Sequence, residues 1–272
     1  MNATPVPVEE AALHLAGGGV VAFTGAGISA ESGIPTFRDP GGVWERFDPS
    51  EFGTWDGLLR LAMSRPDALA SFLSELRTAF ATARPGAAHR ALARLEAEGV
   101  LEGVVTQNID GLHQEAGNRE VVEIHGTFSR SVCIACGNRD SVTREEFLEN
   151  LDRAVMGLRT AFIASLSALL PHCSNCGGPA RPDFVAFGES LQHFDRAERL
   201  AVSCRGMLVV GTSGEVFPAA HLPETASRAG ATVVEVAVGP TYIEADLRLE
   251  GPAGEVLPAL VEAILRRRAS VD

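Results

Sequence analysis

The segment Val20-Val21-Ala22-Phe23-Thr24-Gly25-Ala26-Gly27-Ile28-Ser29-Ala30 constrains the fold more than any other part of the chain. A short apolar run bounded by glycine reads as a strand buried on both faces. Gly25, Gly27 and Ala30 then fit the spacing G-x-G-x-x-G/A, a tight turn that opens a helix. Glycine lets the backbone approach a pyrophosphate, and a helix N-terminus supplies N–H groups and positive potential. The setting favours a dinucleotide over a turn without a ligand. It does not favour hydride transfer. A dehydrogenase places an acidic residue about 20 residues on, at the tip of a second strand. Here Gly42-Val43-Trp44-Glu45-Arg46-Phe47-Asp48 has no apolar strand before its acids.

The rest of the chain supports a layered α/β architecture. Val8 to Ala16 reads as a short helix stopped by Gly17-Gly18-Gly19, and Ala87 to Glu98 as an amphipathic one closed by Gly99. Val104-Val105, Val121 to Ile124, Met207 to Val210 and Thr232 to Val236 are further short apolar runs beside helix-like segments. Val256 to Arg268 ends in three arginines, which suit the negative end of a helix dipole. Strands alternating with helices predict a doubly wound, Rossmann-like parallel sheet. Residues 126–181 break that rhythm. The expected division is a dinucleotide-binding domain from 1–125 and 182–272, with a helical, cofactor-loop segment at 41–83, and a small insert at 126–181.

The insert holds Cys133-Ile-Ala-Cys136 and Cys173-Ser-Asn-Cys176, each followed by glycine. Two such knuckles supply four thiolates suited to one tetrahedral Zn²⁺, and four protein ligands leave no open position, so the metal is expected to be structural. A redox pair is the alternative. The 36 residues between the pairs exceed the usual spacing of about 15–20. Within them, Thr143-Arg-Glu-Glu146 is a capping box. Leu148, Leu151, Val155, Leu158 and Phe162 follow at helical spacing. That apolar face either packs internally or forms a partner surface.

Composition narrows the function classes. With 23 basic and 35 acidic residues the net charge is −12, which argues against a nucleic-acid partner and for basic protein segments. All the basic residues are arginine. A GC-rich genome accounts for that, although an enzyme without lysine also escapes acylation. No run near 18 apolar residues occurs, so no membrane span is expected. The first ten residues lack a basic n-region, and the five cysteines do not form a secreted disulfide framework; both point to the cytoplasm. Nothing in the sequence specifies an oligomeric state.

Two polar clusters sit where strands end, the usual ligand position in open α/β sheets. Val104-Val105 leads into Thr106-Gln107-Asn108-Ile109-Asp110. These side chains can bind ribose hydroxyls or a carboxamide, or simply cap a helix. Val121 to Ile124 leads into His125-Gly126. Histidine exchanges protons near neutral pH, yet a lone histidine after a strand is more often structural. His89 and His113 read as packing or hydrogen-bonding residues.

Together these pieces resemble the sirtuins, NAD-dependent protein-lysine deacylases of bacterial type. The matching stretches are Gly25 to Asp39, Thr106 to Gln114, His125-Gly126, the cysteine pairs, Phe187-Gly188-Glu189 and Gly211 to Ala219. They cover nearly the whole chain in family order. The resemblance implies consumption of NAD, with release of nicotinamide and acyl-ADP-ribose. It implies cofactor contacts from Gly25, Ala26, Gly27, Ser29, Glu31, Gly211, Thr212 and Ser213, with Phe37 and Arg38 on a loop over the cofactor. Gln107 would hold a ribose, Asn108 and Asp110 the nicotinamide end, and His125 would be the general base. Ala237 and Ala253 would border the adenosine. Phe184, Val185 and Phe187 would border an acyl-lysine tunnel. The substrate peptide would pair between Phe187-Gly188-Glu189 and Gly214-Glu215-Val216. The partners implied are acylated lysine-containing proteins.

Three departures stand out. Ala237 replaces the usual asparagine, the cysteine spacer is long, and Ala186 stands where many relatives have an aromatic residue. The same site could instead transfer ADP-ribose to proteins or hydrolyse NAD, and a catalytically idle binding module is the remaining class. Relatives that prefer succinyl or malonyl lysine resemble one another in a Tyr and an Arg three apart on a helix. Leu73 and Leu76 fall at those positions, which predicts a preference for neutral acyl groups.

Overall fold

The computed structural model describes residues 6–37, 41–160 and 170–270. The chain opens with α1 (Val6–Leu15), β1 (Val20–Thr24) and a 3-10 turn (Ala26–Ser32). Helices α2 (Val43–Arg46), α3 (Pro49–Phe52), α4 (Trp55–Ser64) and α5 (Pro66–Thr82) follow. Then come α6 (Ala87–Ala97), β2 (Leu101–Thr106), α7 (Leu112–Ala116) and β3 (Val121–Glu123). The insert contributes β4 (Gly126–Cys133), β5 (Arg139–Ser141), α8 (Arg144–Thr160) and β6 (Ala180–Phe184). The chain continues through α9 (Phe194–Ser203), β7 (Gly206–Val210), a second 3-10 turn (Ala219–His221) and α10 (Leu222–Arg228). It ends with β8 (Thr232–Ala237), β9 (Leu247–Glu250) and α11 (Ala253–Ala269).

Six strands form one parallel sheet in the order β3-β2-β1-β7-β8-β9. Both faces are covered, as a parallel sheet requires. Alternation along β1 shows how. Val20 and Ala22 face a core with Leu15, Leu92, Leu95, Leu257 and Leu260 from α1, α6 and α11. Val21 and Phe23 face the opposite core, with Ala197, Ala201, Leu222 and Ala226 from α9 and α10. The chain builds outward from β1 through β2 and β3, then returns to build through β7, β8 and β9. The order therefore reverses between β1 and β7, and ligands of such sheets bind in the crevice beyond that point.

Two local features differ from the sequence expectation. The glycine turn opens a 3-10 segment rather than an α-helix. Gly33 ends it in the left-handed region at φ 86°, where a residue with a side chain is strained, and Pro35 follows two residues later. The four-residue edge strand β9 has no glycine-bounded apolar run to announce it.

In the insert, β5-β4-β6 form a separate antiparallel sheet. The capping box is formed: the Thr143 N–H donates to Glu146 Oε2 at 2.8 Å, and the Glu146 N–H donates to Thr143 Oγ1 at 3.2 Å. The apolar face of α8 packs internally. Leu158 joins Phe52, Leu61, Leu69 and Phe72, while Phe147 and Leu151 join Phe80 and Phe128. Phe162 lies outside the described residues. Arg144 ties this layer to the rest of the fold. Its guanidinium donates to Phe80 O at 2.8 Å and to Glu115 at 2.6 Å, and lies over the Phe128 ring.

Candidate functional site

The crevice between β1 and β7 is lined by backbone. A Cβ on Gly25 would lie 2.8 Å from Gly211 O, and one on Gly27 would lie 2.7 Å from Gly211 Cα. Gly211 itself sits at φ 60°. These three positions therefore admit no side chain, and the two turns touch main chain to main chain. The Gly27 N–H donates to Gly211 O at 2.8 Å. The absence of side chains at these positions fits the close approach that a pyrophosphate needs.

The polar cluster after β2 reaches into the same crevice. Gln107 Nε2 donates to Thr212 Oγ1 at 2.8 Å, linking the β2 and β7 ends. Asn108 is buried; its Nδ2 donates to Gly25 O at 3.1 Å and Ser29 Oγ at 3.2 Å. Asp110 is buried as well. Its Oδ2 accepts from Ser29 Oγ at 2.7 Å and its Oδ1 from the Leu112 N–H at 3.0 Å. Burial raises its pKa above the ordinary carboxylate value, and those two donors oppose the rise. The cluster thus both meets the glycine turn and forms the turn that starts α7.

His125 follows β3. Its Nδ1 lies 2.9 Å from Gln107 O. A carbonyl only accepts, so Nδ1 carries the proton and Nε2 is the basic atom. Burial lowers the His125 pKa and the bond to Gln107 raises it, with burial the larger effect. The imidazole is therefore neutral at pH 7.

The candidate substrate segment runs beside it. The Val185 N–H donates to His125 O at 2.8 Å, and the Phe187 N–H to Gly53 O at 2.8 Å. Phe184 stacks on Trp55 at 4.8 Å. Glu189 accepts from Trp55 Nε1 at 3.0 Å, the Ala186 N–H at 2.9 Å and Arg181 at 2.7 Å. Gly188 lies inside this loop at φ 89°. Gly214, at φ 77°, packs on Ile243, with the half-buried Val216 two residues on. Phe37 lies 5.3 Å from Trp44, which lies 6.0 Å from Phe187.

Sequence reasoning missed Trp44, Trp55 and Arg181 in this neighbourhood. Aromatic and basic residues there carry no spacing signal, because their partners are far along the chain. The other expected contacts sit at the crevice rim. Ala26 opens the 3-10 turn, and the Ser213 carbonyl accepts from the Tyr242 N–H at 2.8 Å. Glu31 accepts from the Gly254 N–H at 2.6 Å at the start of α11, beside Ala253. Ala237 ends β8 and is buried. Arg38 lies outside the described residues.

The Sir2 family model matches residues 25–218. The chain belongs to the Sir2 family, the sirtuins. A relative from Desulfosudis oleivorans, named NAD-dependent protein deacylase, is 43% identical over 265 residues, covering 96% of this chain and 97% of its own. A Sir2 homologue solved as a complex with NAD superposes with a TM-score of 0.78 at 34% identity, covering 96% of this chain and 94% of that one. Another Sir2 structure, bound to a myristoylated histone peptide, gives a TM-score of 0.73 at 34% identity over 97% of this chain and 98% of its own.

The four knuckle cysteines of this sirtuin come together although the pairs are far apart in sequence. Their sulfurs all lie within 4.8 Å of one another, with Cys133 to Cys176 at 3.5 Å and Cys136 to Cys173 at 3.7 Å. Sulfurs about 2.3 Å from a tetrahedral centre lie about 3.8 Å apart, so the donor set fits Zn²⁺. Cys204 is remote from them, buried, with its thiol pushed up to about 11 by burial. Elemental analysis should find one zinc per chain. Cys173→Ser should lower zinc content and thermal stability together, because binding and folding are linked. A fully folded, zinc-free wild-type protein would contradict this.

Proposed function

We infer that this sirtuin is an NAD-dependent protein deacylase that removes acyl groups from lysine side chains of other proteins. The observation that carries the reading is one crevice shared by the Gly25–Gly27 and Gly211–Ser213 turns, Asn108, Asp110 and a neutral His125. The relative named as a deacylase and the NAD and acyl-peptide complexes support it.

Bound NAD supplies the ribose carbon that accepts the acyl oxygen as nicotinamide departs. Ala26, Gly27 and Ser213 would face its phosphates, and Phe37 would lie over it. Gln107 orients a ribose while anchored to Thr212. Asn108 and Asp110 hold the nicotinamide end; Asp110 accepts from its amide N–H. His125 Nε2 removes a proton from a ribose hydroxyl. Phe184, Val185 and Phe187 line the acyl-lysine channel. The peptide adds as a strand between Phe187-Gly188-Glu189 and Gly214-Glu215-Val216. Among the described residues no helix is long and apolar enough to cross a membrane. The cysteine usage favours a cytoplasmic setting, and the acidic charge favours basic peptide partners over nucleic acid.

The decisive assay incubates an acylated peptide with NAD and follows both products by mass spectrometry. His125→Ala should lose about 100-fold or more in turnover while keeping the wild-type melting temperature. NAD consumption that is equal with and without acylated peptide would instead mark an NAD hydrolase. Matched acetyl and succinyl peptides test the acyl preference. Leu73 and Leu76 are half-buried among apolar residues, and Arg77 is committed to Asp152 through bonds of 3.0 Å from Nε and Nη2. A carboxylate there would be buried unpaired, so acetyl should be removed faster. Faster succinyl removal would overturn this. Finally, Ala237→Asn should restore one ribose hydrogen bond, worth about 0.5–1.5 kcal/mol, and tighten NAD binding several-fold. An unchanged Kd would mean that another group already fills that place.

A further inference from the structure

The candidate substrate segment, residues 184–191, is closed at its neck by a buried charge. Asp183, the residue before it, is 2% exposed. A buried carboxylate is costly unless paired, and this one is paired on both oxygens. Its Oδ2 accepts from Arg130 Nε on β4 at 2.9 Å and from Arg139 Nε on β5 at 3.0 Å. Burial pushes the Asp183 pKa up, and the two guanidinium groups more than offset that, leaving it below the ordinary carboxylate value. Gln192, the residue after the segment, completes the set. Its Nε2 donates to Asp183 Oδ1 at 2.9 Å, and its Oε1 accepts from Arg130 Nη2 at 3.0 Å. Its own N–H donates to Ile124 O at 2.9 Å, one residue before His125. One residue therefore joins the entry and the exit of the segment to each other and to the backbone beside His125.

We propose that Asp183 and Gln192 form a clamp that holds the 184–191 segment in place for the substrate peptide, with Gln192 as its positioning residue. This rests on the proposed pairing of the peptide with Phe187-Gly188-Glu189. Inside the segment, the Val185 and Phe187 N–H groups bond to His125 O and Gly53 O, and those of Ala186 and Glu189 bond within the loop. A closed neck removes conformational freedom that a loop with free ends would keep, so those four bonds are easier to hold. The clamp is separable from the fold. Without the Gln192 side chain, Arg130 and Arg139 still pair with Asp183, and β4 keeps its pairing with β5 and β6. What is lost is two charge-assisted bonds across the neck.

Gln192→Leu removes both side-chain bonds at nearly constant volume and keeps the backbone bond to Ile124. The experiment uses the full chain. It measures melting temperature, the Kd for acetyl-peptide and for NAD separately by calorimetry, steady-state kinetics, and amide hydrogen exchange by mass spectrometry. Exchange should rise about fivefold or more at residues 184–191 and stay at the wild-type level in β7. The Kd and KM for acetyl-peptide should rise about fivefold to tenfold, with NAD Kd within about twofold and a smaller change in kcat. Arg130→Met removes the donor that Gln192 shares with Asp183, so on that background Gln192→Leu should add less than it does alone. Wild-type exchange at 184–191, or peptide and NAD affinities that fall together with the melting temperature, would overturn the proposal. A wild-type chain that binds no acetyl-peptide would sink the proposed function and the peptide role of Gln192 with it. Wild-type peptide binding that Gln192→Leu leaves intact would sink the clamp alone.

Discussion

The contact between two glycine turns sets the geometry of everything that binds. Gly27 and Gly211 meet across the point where the strand order reverses, and their backbones are as close as van der Waals contact allows. A single methyl group at either position would lever the ends of β1 and β7 apart. The consequences extend past the turns. Gln107 reaches Thr212, and Asn108 reaches Gly25 O, only because these ends converge. The strand that delivers Asn108 and Asp110 also packs directly on β1. Steric exclusion by main chain thus fixes the distances over which the polar side chains act.

Those side chains work in a region with little water, where each hydrogen bond is stronger and each missing one costs more. Asp110 shows the balance. Burial disfavours its charge, and Ser29 and Leu112 restore part of it. His125 faces the opposite problem. Burial favours its neutral form, and the bond from Nδ1 to Gln107 O selects the tautomer. An acid held as an acceptor and a base held neutral require different environments within one crevice. At hydrogen-bond distance, backbone groups and the Ser29 hydroxyl meet both requirements, and the Arg144 charge further favours ionised Asp110.

Much of this was legible in the sequence. The glycine turn, the buried strands, the cysteine pairs and the capping box are local patterns, and each obeys a rule about spacing. The α8 helix was legible for the same reason, but its destination against α5 was not. What the sequence hid depends on partners far away. Trp55 meets Glu189 across 134 residues, and His89 meets Ser29 across 60. On its own helix His89 is simply a buried residue at the right period. The short helices α2 and α3 carry too few residues for a period to register; the contacts among Phe47, Phe52 and Phe72 hold them. The 3-10 turn was misread because a glycine fingerprint predicts the turn and not the length of helix after it.

The insert bears on the site through its two ends. His125 immediately precedes β4, and Val185 immediately follows β6. Within the antiparallel pair, Gly126 lies opposite Phe184, and the Val185 N–H closes onto His125 O at 2.8 Å. The antiparallel sheet that carries Cys133 therefore holds His125 and the Val185 segment in one register. This also explains the glycine after the histidine. Gly126 sits at φ 76°, and a Cβ there would lie 2.1 Å from Asp183 O. Any side chain would force β4 from β6 at the place where they carry His125 and Val185. The requirement for Gly126 is thus a packing condition on the insert, and His125 inherits its position from it.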